Sequence, residues 1–307
     1  MTPSGLLVVQ TVIVMGVQMR TDWLTVALVE EIHRAVLRGR DVTRAVSGLA
    51  GATVPGLLEY GCLGWAMRGG SLPALPPAVS GSDIGRALNV VPSVLGLRTD
   101  APSPRPLRRL DAQTAEFLAL RSENDLTDEG WEHFAARFET SARSVGFTFD
   151  ASARLQLALY EMAENAVIHA ESPTILVGYH ASPGTALFCV ADVGIGFLAS
   201  LRKNPAFRHL RLHSEAITAA LQDGSSSRRP DEGGGGFGFR QVFTSLTDQW
   251  GSLRFRSGEG CLTMEGTDCD ASRGYVTHPP SVPGFQATIC CRTNAPNGLD
   301  LSEIPLI

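Results

Sequence analysis

The sequence predicts a protein of the α+β class, in which a smaller N-terminal α/β region precedes a C-terminal two-layer sandwich of helices and a sheet. The chain has 307 residues, which is more than one hydrophobic core usually fills. Some segments repeat apolar residues at helical spacing, whereas others are short β-branched or aromatic runs typical of strands. A stretch rich in Pro, Gly and Ser runs from Gly69 to Arg108. We therefore predict an N-terminal regulatory or interaction region over residues 1–118 and a C-terminal domain over residues 119–307.

Composition and charge narrow the classes of function. The formal net charge is −5, so the chain as a whole gives no electrostatic argument for nucleic-acid binding. An apolar run over residues 6–17 is too short to span a bilayer, and the first positive charge, Arg20, follows it. Its β-branched residues indicate a buried strand, and we expect a cytoplasmic protein with no membrane partner. The six cysteines form no CxxC pair, which favours buried free thiols.

The elements follow in order along the chain. A helix is predicted from Asp22 to Leu37, where the apolar residues lie at helical spacing and Gly39 follows. The segments Gly69–Ser82 and Ser103–Pro106 are predicted to be loop or linker. A second helix is predicted from Asp128 to Ser144, ending at Gly146.

The C-terminal half has a clearer pattern. Asp150 is a suitable N-cap for a helix that continues through His169. A shorter helix is predicted over Ser214–Gln222, and another begins near Gly238. The predicted strands are Thr174–Tyr179, Ala186–Ala191, Leu253–Ser257, Cys261–Glu265 and Ala287–Arg292.

Three motifs in this half carry candidate chemistry. On the long helix, Glu161, Asn165 and His169 are spaced by four, so they share one stripe beside an apolar one. Simple amphipathicity would explain this stripe if it stood alone. Glu164 lies next to Asn165, where a solvated position and a role in cation binding both fit.

The second motif follows the strand that ends at Ala191. Asp192 stands at the strand end beside Gly194 and Gly196. A carboxylate there can accept from an exocyclic amine, and glycines let a ring lie against the backbone. An ordinary strand-to-loop turn would have the same residues.

The third motif is the glycine run Gly233–Gly238. Successive glycines allow backbone N–H groups to converge on an anion, and the helix that follows adds its dipole. A glycine run alone is more often a flexible linker. The apolar spacing of Phe239, Val242, Phe243 and Leu246 favours a loop that enters a helix.

Taken in order, these motifs resemble those of the GHKL superfamily of ATP-binding domains, which includes gyrase-, Hsp90-, histidine-kinase- and MutL-like proteins. Residues 161–169 resemble its N-box, 192–196 its G1 box and 234–238 its G2 box. The resemblance covers about Thr127 to Arg292 and implies the Bergerat type of α/β sandwich, with ATP and Mg²⁺ as ligands. No P-loop or Rossmann fingerprint is present.

The resemblance also implies roles for the matching residues. Asn165 would coordinate Mg²⁺, and Glu161 would orient or deprotonate water for hydrolysis. Asp192 would bind the adenine amino group, with room given by Gly194 and Gly196. The phosphates would be bound mainly by the residues of the G2 box: Gly234, Gly235, Gly236, Phe237 and Gly238. His169 and Arg228 are further candidates for contact with the phosphates. Each of these side chains also has a simpler interpretation. His169 would be structural, and Arg228 would lie in a solvated loop. Lys203, which follows the G1 box, would be exposed and would contact no phosphate.

One departure from the family pattern concerns the base. Many members place a Gly-Thr pair before the last strand, whose Thr supports the adenine-binding Asp. Here the equivalent is Gly284-Phe285, with Thr288 further along. An insertion over Gly266–Pro283 lengthens the same connection.

Three functions remain open at this point. The first is a slow Mg-dependent ATPase that acts as a nucleotide-driven switch on a protein partner or within a homodimer. The second is a protein kinase. Neither His33 nor His133 is followed by the acidic residue of a histidine-kinase phosphoacceptor, which argues against a histidine kinase. A serine kinase like the anti-sigma factors stays open, because its acceptor lies on another protein. The third is a module that senses ATP or ADP without turnover.

Overall fold

The structure, a computed structural model, describes residues 22–67, 72–76, 79, 114–221, 250–266 and 274–293. Within these ranges a central antiparallel sheet has helices on both faces, which confirms the predicted α+β class. The strand predicted within residues 6–17, the glycine run Gly233–Gly238 and the helix predicted after it lie outside the described residues. No helix in the described ranges is long and apolar enough to cross a membrane.

Strands of the described chain form one short pair and one large sheet. The pair is parallel and consists of β1 (Trp23–Leu24) and β2 (Gly51–Ala52). The strands of the large sheet are β3 (Thr114–Leu120), β4 (Ile175–Ser182), β5 (Thr185–Asp192), β6 (Trp250–Gly258), β7 (Gly260–Gly266), β8 (Tyr275–Thr277) and β9 (Val282–Arg292). Their spatial order is β3-β4-β5-β9-β6-β7-β8, and every neighbouring pair is antiparallel.

All five strands predicted for the C-terminal half are present, with longer bounds. The last strand, β9, lies between β5 and β6 and thus joins the two hairpins into one sheet. The edge strands β3 and β8 were not predicted; β8 lies in the insertion over residues 266–283. The predicted domain boundary at residue 118 falls within β3.

One face of the sheet is covered by two long antiparallel helices, α4 (Glu129–Ser144) and α5 (Phe149–His169), whose labels follow α1–α3 of the N-terminal region. Asp128 caps α4, because its Oδ1 accepts from Trp131 N at 2.8 Å. For α5 the predicted cap was wrong: Thr148 Oγ1 accepts from Ala151 N at 3.2 Å, and Asp150 already belongs to the first helical turn. Local sequence favours either residue as N-cap, and the chain entering from α4 selects the earlier one.

The core between this face and the helices is apolar and rich in aromatic rings. Phe138 of α4 packs against Tyr179 and Phe188, with ring centroids 5.0 and 5.9 Å apart. The predicted apolar stripe of α5 is fully buried against the same strands: Leu155, Leu159, Met162 and Ala166.

The opposite face is covered by the N-terminal helices α1 (Val26–Leu37), α2 (Thr43–Ser47) and α3 (Val54–Ala66). Every residue of β4 and β5 is buried, so these strands need cover on both sides. The described chain therefore has three layers: the helices and sheet of the C-terminal half form two, and the N-terminal helices form the third. Helix α3 was not predicted from the sequence. The buried strand residues under this layer are Ala115, Phe117, Leu176, Leu187, Cys189, Ala191 and Cys290.

A buried ion cluster joins the N-terminal layer to the sheet. Glu59 of α3 is 3% exposed and pairs with Arg254 and with Arg256 Nη1, the latter at 2.7 Å. Arg254 Nη2 also contacts Glu30 Oε1 of α1 at 2.7 Å. Arg256 Nη2 donates to the Pro280 carbonyl at 2.9 Å. Charges buried in this way are tolerated because each is paired and hydrogen-bonded.

Two short α-helices follow β5 along the chain. They are α6 (Gly196–Leu201) and α7 (His213–Ala220), the latter close to the predicted helix over Ser214–Gln222. The described ranges also contain the 3-10 helices Glu123–Thr127 and Pro205–Phe207. The five cysteines in the described ranges are buried and free, as predicted: Cys62, Cys189, Cys261, Cys290 and Cys291.

Candidate functional site

The stripe of Glu161, Asn165 and His169 lies on the part of α5 that is not covered by the core. All three side chains are half-buried. Asn165 Nδ2 donates to the Glu161 carbonyl at 2.8 Å. This hydrogen bond engages the amide nitrogen, so the amide oxygen is the atom that Asn165 can offer to a cation.

Two carboxyl groups lie close together on this part of α5. Burial, followed by repulsion from Glu164, raises the pKa of Glu161 above its usual value. Glu164 Oε1 in turn accepts from the Tyr160 hydroxyl at 3.2 Å. A cation or a proton donor at this position would relieve the repulsion. A carboxylate with a raised pKa is also a better general base at neutral pH.

Asp192, the last residue of β5, is 2% exposed. Its Oδ1 accepts from Gly194 N at 2.8 Å, and its carboxylate also accepts from the backbone N–H of Phe285. Burial raises the pKa of Asp192 to about 7, although both hydrogen bonds act in the opposite direction. The side chain is thus a buried acid whose position is fixed by two backbone donors.

The two glycines after Asp192 are required by packing within the chain. A Cβ on Gly194 would lie 1.8 Å from the Ala170 carbonyl oxygen, so only glycine allows this contact. Gly196 has a φ of +71°, and a Cβ there would lie 2.7 Å from Ser257 Oγ. Both glycines thus allow close approach of the protein's own atoms, whereas the sequence predicted that they give room for a bound ring.

The turn after Asp192 is joined to the C-terminal end of α5. Ile195 N donates to the Ala170 carbonyl at 2.8 Å, one residue beyond His169. Lys203 Nζ lies 2.5 Å from Glu171 Oε1, so this lysine is paired with a carboxylate rather than held ready for a phosphate. The structure therefore brings the first and second motifs together at one end of the sheet.

Two residues at this end were missed as site residues. Gly284 has a φ of +75°, and a Cβ there would lie 2.1 Å from the Asp192 carbonyl oxygen. Ser257 Oγ donates to the Gly284 carbonyl at 3.0 Å. The glycine before the last strand was visible in the sequence, whereas no local pattern distinguishes Ser257.

Thr288, the hydroxyl residue noted after Gly284, lies elsewhere. It pairs with Cys189 across β5 and β9, and its Oγ1 is 3.6 Å from the Cys189 sulfur. Asp192 lies three residues further along β5. Two other hydroxyls lie near the Asp192 end: Ser172 Oγ accepts from Val193 N at 3.4 Å, and Ser257 Oγ donates to the Gly284 carbonyl.

The phosphate end of the predicted site lies outside the described residues. This applies to Arg228, to Phe237 and to the glycines of the G2 box: Gly234, Gly235, Gly236 and Gly238. In the described ranges no group of three or more His, Cys, Asp or Glu side chains could hold a metal ion. The residues present do fit Mg²⁺, which commonly takes one or two protein oxygens and completes its shell with water and substrate phosphates.

No model of a known protein family matches the chain, and no curated protein matches it.

Proposed function

We propose that this chain binds Mg-ATP in a pocket of the GHKL (Bergerat) type and hydrolyses it slowly, as a nucleotide-driven switch on a protein partner or a second copy. The observation that supports this most is Asp192, a buried carboxylate held by two backbone N–H groups. Two backbone hydrogen bonds leave part of its acceptor capacity unused. A ligand that donates from an amino group would use that capacity.

The second support is the position of the polar stripe of α5. Its last residue, His169, precedes the Ala170 carbonyl that accepts from the turn after Asp192. Asn165 and Glu161 lie one and two turns before His169 on the same helix. In the proposed complex the base lies at Asp192, Asn165 ligates Mg²⁺, and Glu161 orients the attacking water. Bound Mg²⁺ would supply neutralisation of the phosphate charge.

The binding step is tested by thermal unfolding in the presence of Mg-ATP, Mg-ADP and Mg-GTP. A ligand at ~100 times its Kd stabilises the folded state by about 2.7 kcal/mol. We expect wild-type protein to be stabilised by Mg-ATP and Asn165→Ala to lose that stabilisation. Gln156→Ala, which removes a half-buried amide elsewhere on α5, is the matched control and should keep it. An equal response of both variants would contradict the site assignment.

The chemical step is tested by release of phosphate. Glu161→Gln should still be stabilised by Mg-ATP but should release phosphate at least ~100-fold more slowly, because a positioned base contributes on that order. Glu132→Gln, at an exposed position of α4, should keep the wild-type rate. Bound but intact ATP with wild-type protein would favour the sensor, and transfer of label to a protein would favour the kinase.

A further inference from the structure

One hydroxyl group connects three segments around Asp192. Ser257 is fully buried, and its Oγ donates to the Gly284 carbonyl at 3.0 Å and accepts from Phe197 N at 2.9 Å. His213 Nδ1 lies 3.3 Å from the same oxygen. A hydroxyl has one proton and two acceptor lone pairs. With a proton on Nδ1, His213 donates to Ser257 Oγ, so the single proton and both lone pairs of the hydroxyl are engaged.

The hydrogen bond to Gly284 fixes a donor that points at Asp192. The Gly284 carbonyl and the Phe285 N–H belong to one peptide group, which is planar. Ser257 holds the oxygen of this group, and the N–H on its other side donates to the Asp192 carboxylate. Hydrogen bonds in such a series polarise one another. The orientation of the Asp192 side chain thus depends on Ser257 through a rigid unit.

The same hydroxyl also fixes the turn after Asp192. The N-cap residue of α6, Ile195, makes no side-chain capping hydrogen bond. Ser257 takes that role from 60 positions further along the chain, because it accepts from Phe197 N in the first turn of α6. The second donor to Asp192, Gly194 N, belongs to this turn. Ser257 therefore hydrogen-bonds to both segments that carry a donor to the carboxylate, at Gly284 and at Phe197.

We propose that Ser257 is a positioning residue that orients the Asp192 carboxylate toward the amino group of adenine. This inference rests on the proposed function. Its consequence is selectivity for purine nucleotides that carry an exocyclic amine over those that carry an oxygen there. Ser257 does not contact the nucleotide and acts only through the Gly284–Phe285 peptide group and the turn before α6.

Selectivity is measured as the ratio of Kd values for Mg-ITP and Mg-ATP, since ITP has an oxygen in place of the amine. Ser257→Ala should raise the Kd for Mg-ATP about tenfold and leave that for Mg-ITP within about twofold, as expected for loss of one positioned hydrogen bond. Thr288→Val removes the hydroxyl that the sequence suggested and should leave the ratio unchanged. Ser257→Cys, similar in size but a weaker donor, should give an intermediate ratio and serves if the alanine variant does not fold.

A double-mutant cycle separates positioning from general loosening. If Ser257 acts through Asp192, then Ser257→Ala should not change the ITP/ATP ratio further in an Asp192→Asn background. An unchanged ratio in both the alanine and the cysteine variants, or additive effects in the cycle, would overturn the proposal.

Amide hydrogen exchange of the ligand-free protein provides a readout that needs no nucleotide. Exchange at Gly194 and Phe197 should accelerate at least about tenfold in Ser257→Ala, while amides in the core of α5 keep their protection. If wild-type protein binds neither nucleotide, the proposed function fails. The exchange data then still decide whether Ser257 orders this turn, and unchanged exchange would refute that role.

Discussion

At the scale of single residues, Asp192 combines two properties that seldom occur together. It is almost completely buried, yet it has no cationic partner among the interactions that set its pKa. Burial alone would favour the neutral acid, and the backbone donors favour the carboxylate. The pKa of about 7 means that both forms are populated near neutral pH. Since the ionised form accepts the stronger hydrogen bond from an amine, the nucleotide affinity of the proposed site should rise with pH through this range.

The same pKa makes the stability of the ligand-free protein depend on pH. The folded-state pKa lies above the unfolded value of 3.8, so the folded state binds the proton more tightly. The resulting stability is fully present below the unfolded pKa and is lost as pH rises toward about 7. Between about pH 5 and about pH 8, wild-type protein should lose roughly 2–3 kcal/mol of unfolding free energy relative to Asp192→Asn.

Urea unfolding at the two pH values measures this difference. Asp150→Asn, at an exposed position in the first turn of α5, is the control and should show no such dependence. A wild-type minus Asp192→Asn difference that stays constant across the range would rule out a buried titrating Asp192.

At the scale of elements, the junction between α5 and the turn after β5 assembles the candidate site. The closest contact is between backbone atoms, because Ile195 N donates to the Ala170 carbonyl and Gly194 lies against the same oxygen. Backbone atoms cannot move aside in the way that a flexible side chain can. The position of the polar stripe relative to Asp192 therefore depends on a glycine.

Gly194→Ala should destabilise the protein by about 1–3 kcal/mol, because its Cβ would lie 1.8 Å from the Ala170 carbonyl oxygen. It should also weaken Mg-ATP binding by moving Asp192 away from α5. Gly64→Ala in α3 is the matched control: the nearest neighbour of its Cβ is a Leu72 carbon at 3.7 Å, so the change should be neutral or stabilising. Chemical denaturation of both variants checks this, and equal stabilities would count against the junction.

At the scale of the whole molecule, the N-terminal layer and the sheet share a core and an ion cluster. The cluster ends at Arg256, the residue before Ser257, so the layer contacts the strand that also supports Asp192. Three thiols lie in the core between the layer and the sheet, namely Cys62, Cys189 and Cys290, and burial raises the pKa of each. Release of the layer would expose them.

Removing one partner of the cluster leaves uncompensated buried charge. Glu59→Gln should therefore cost about 3–5 kcal/mol of unfolding free energy and accelerate alkylation of Cys62, Cys189 and Cys290. Glu31→Gln, exposed on α1, should change the unfolding free energy by no more than about 0.5 kcal/mol. The alkylation rates of the three thiols should stay close to those of the wild type. Peptide mass spectrometry after timed alkylation reads out each thiol. If the thiols of Glu59→Gln are alkylated as slowly as those of the wild type, the ion cluster does not hold the layer in place.

The sequence by itself determined the α+β class, the two long helices and five strands of the large sheet. These features depend on local propensity and on the periodicity of apolar residues, which neighbouring positions in the chain reveal. The same local information located Glu161, Asn165 and Asp192 and predicted buried thiols. It failed for the cap of α5, where Thr148 and Asp150 are equally suitable in isolation.

Only the tertiary structure decided how these parts combine. The third layer arises because β4 and β5 are buried on both faces, and α3 meets β6 through an ion pair between residues 197 positions apart, Glu59 and Arg256. The hydrogen bonds of Ser257 depend on tertiary structure in the same way, since its partners Phe197 and Gly284 lie 60 and 27 positions away. Such contacts follow from packing of the whole chain, and a local pattern of residue types does not predict them.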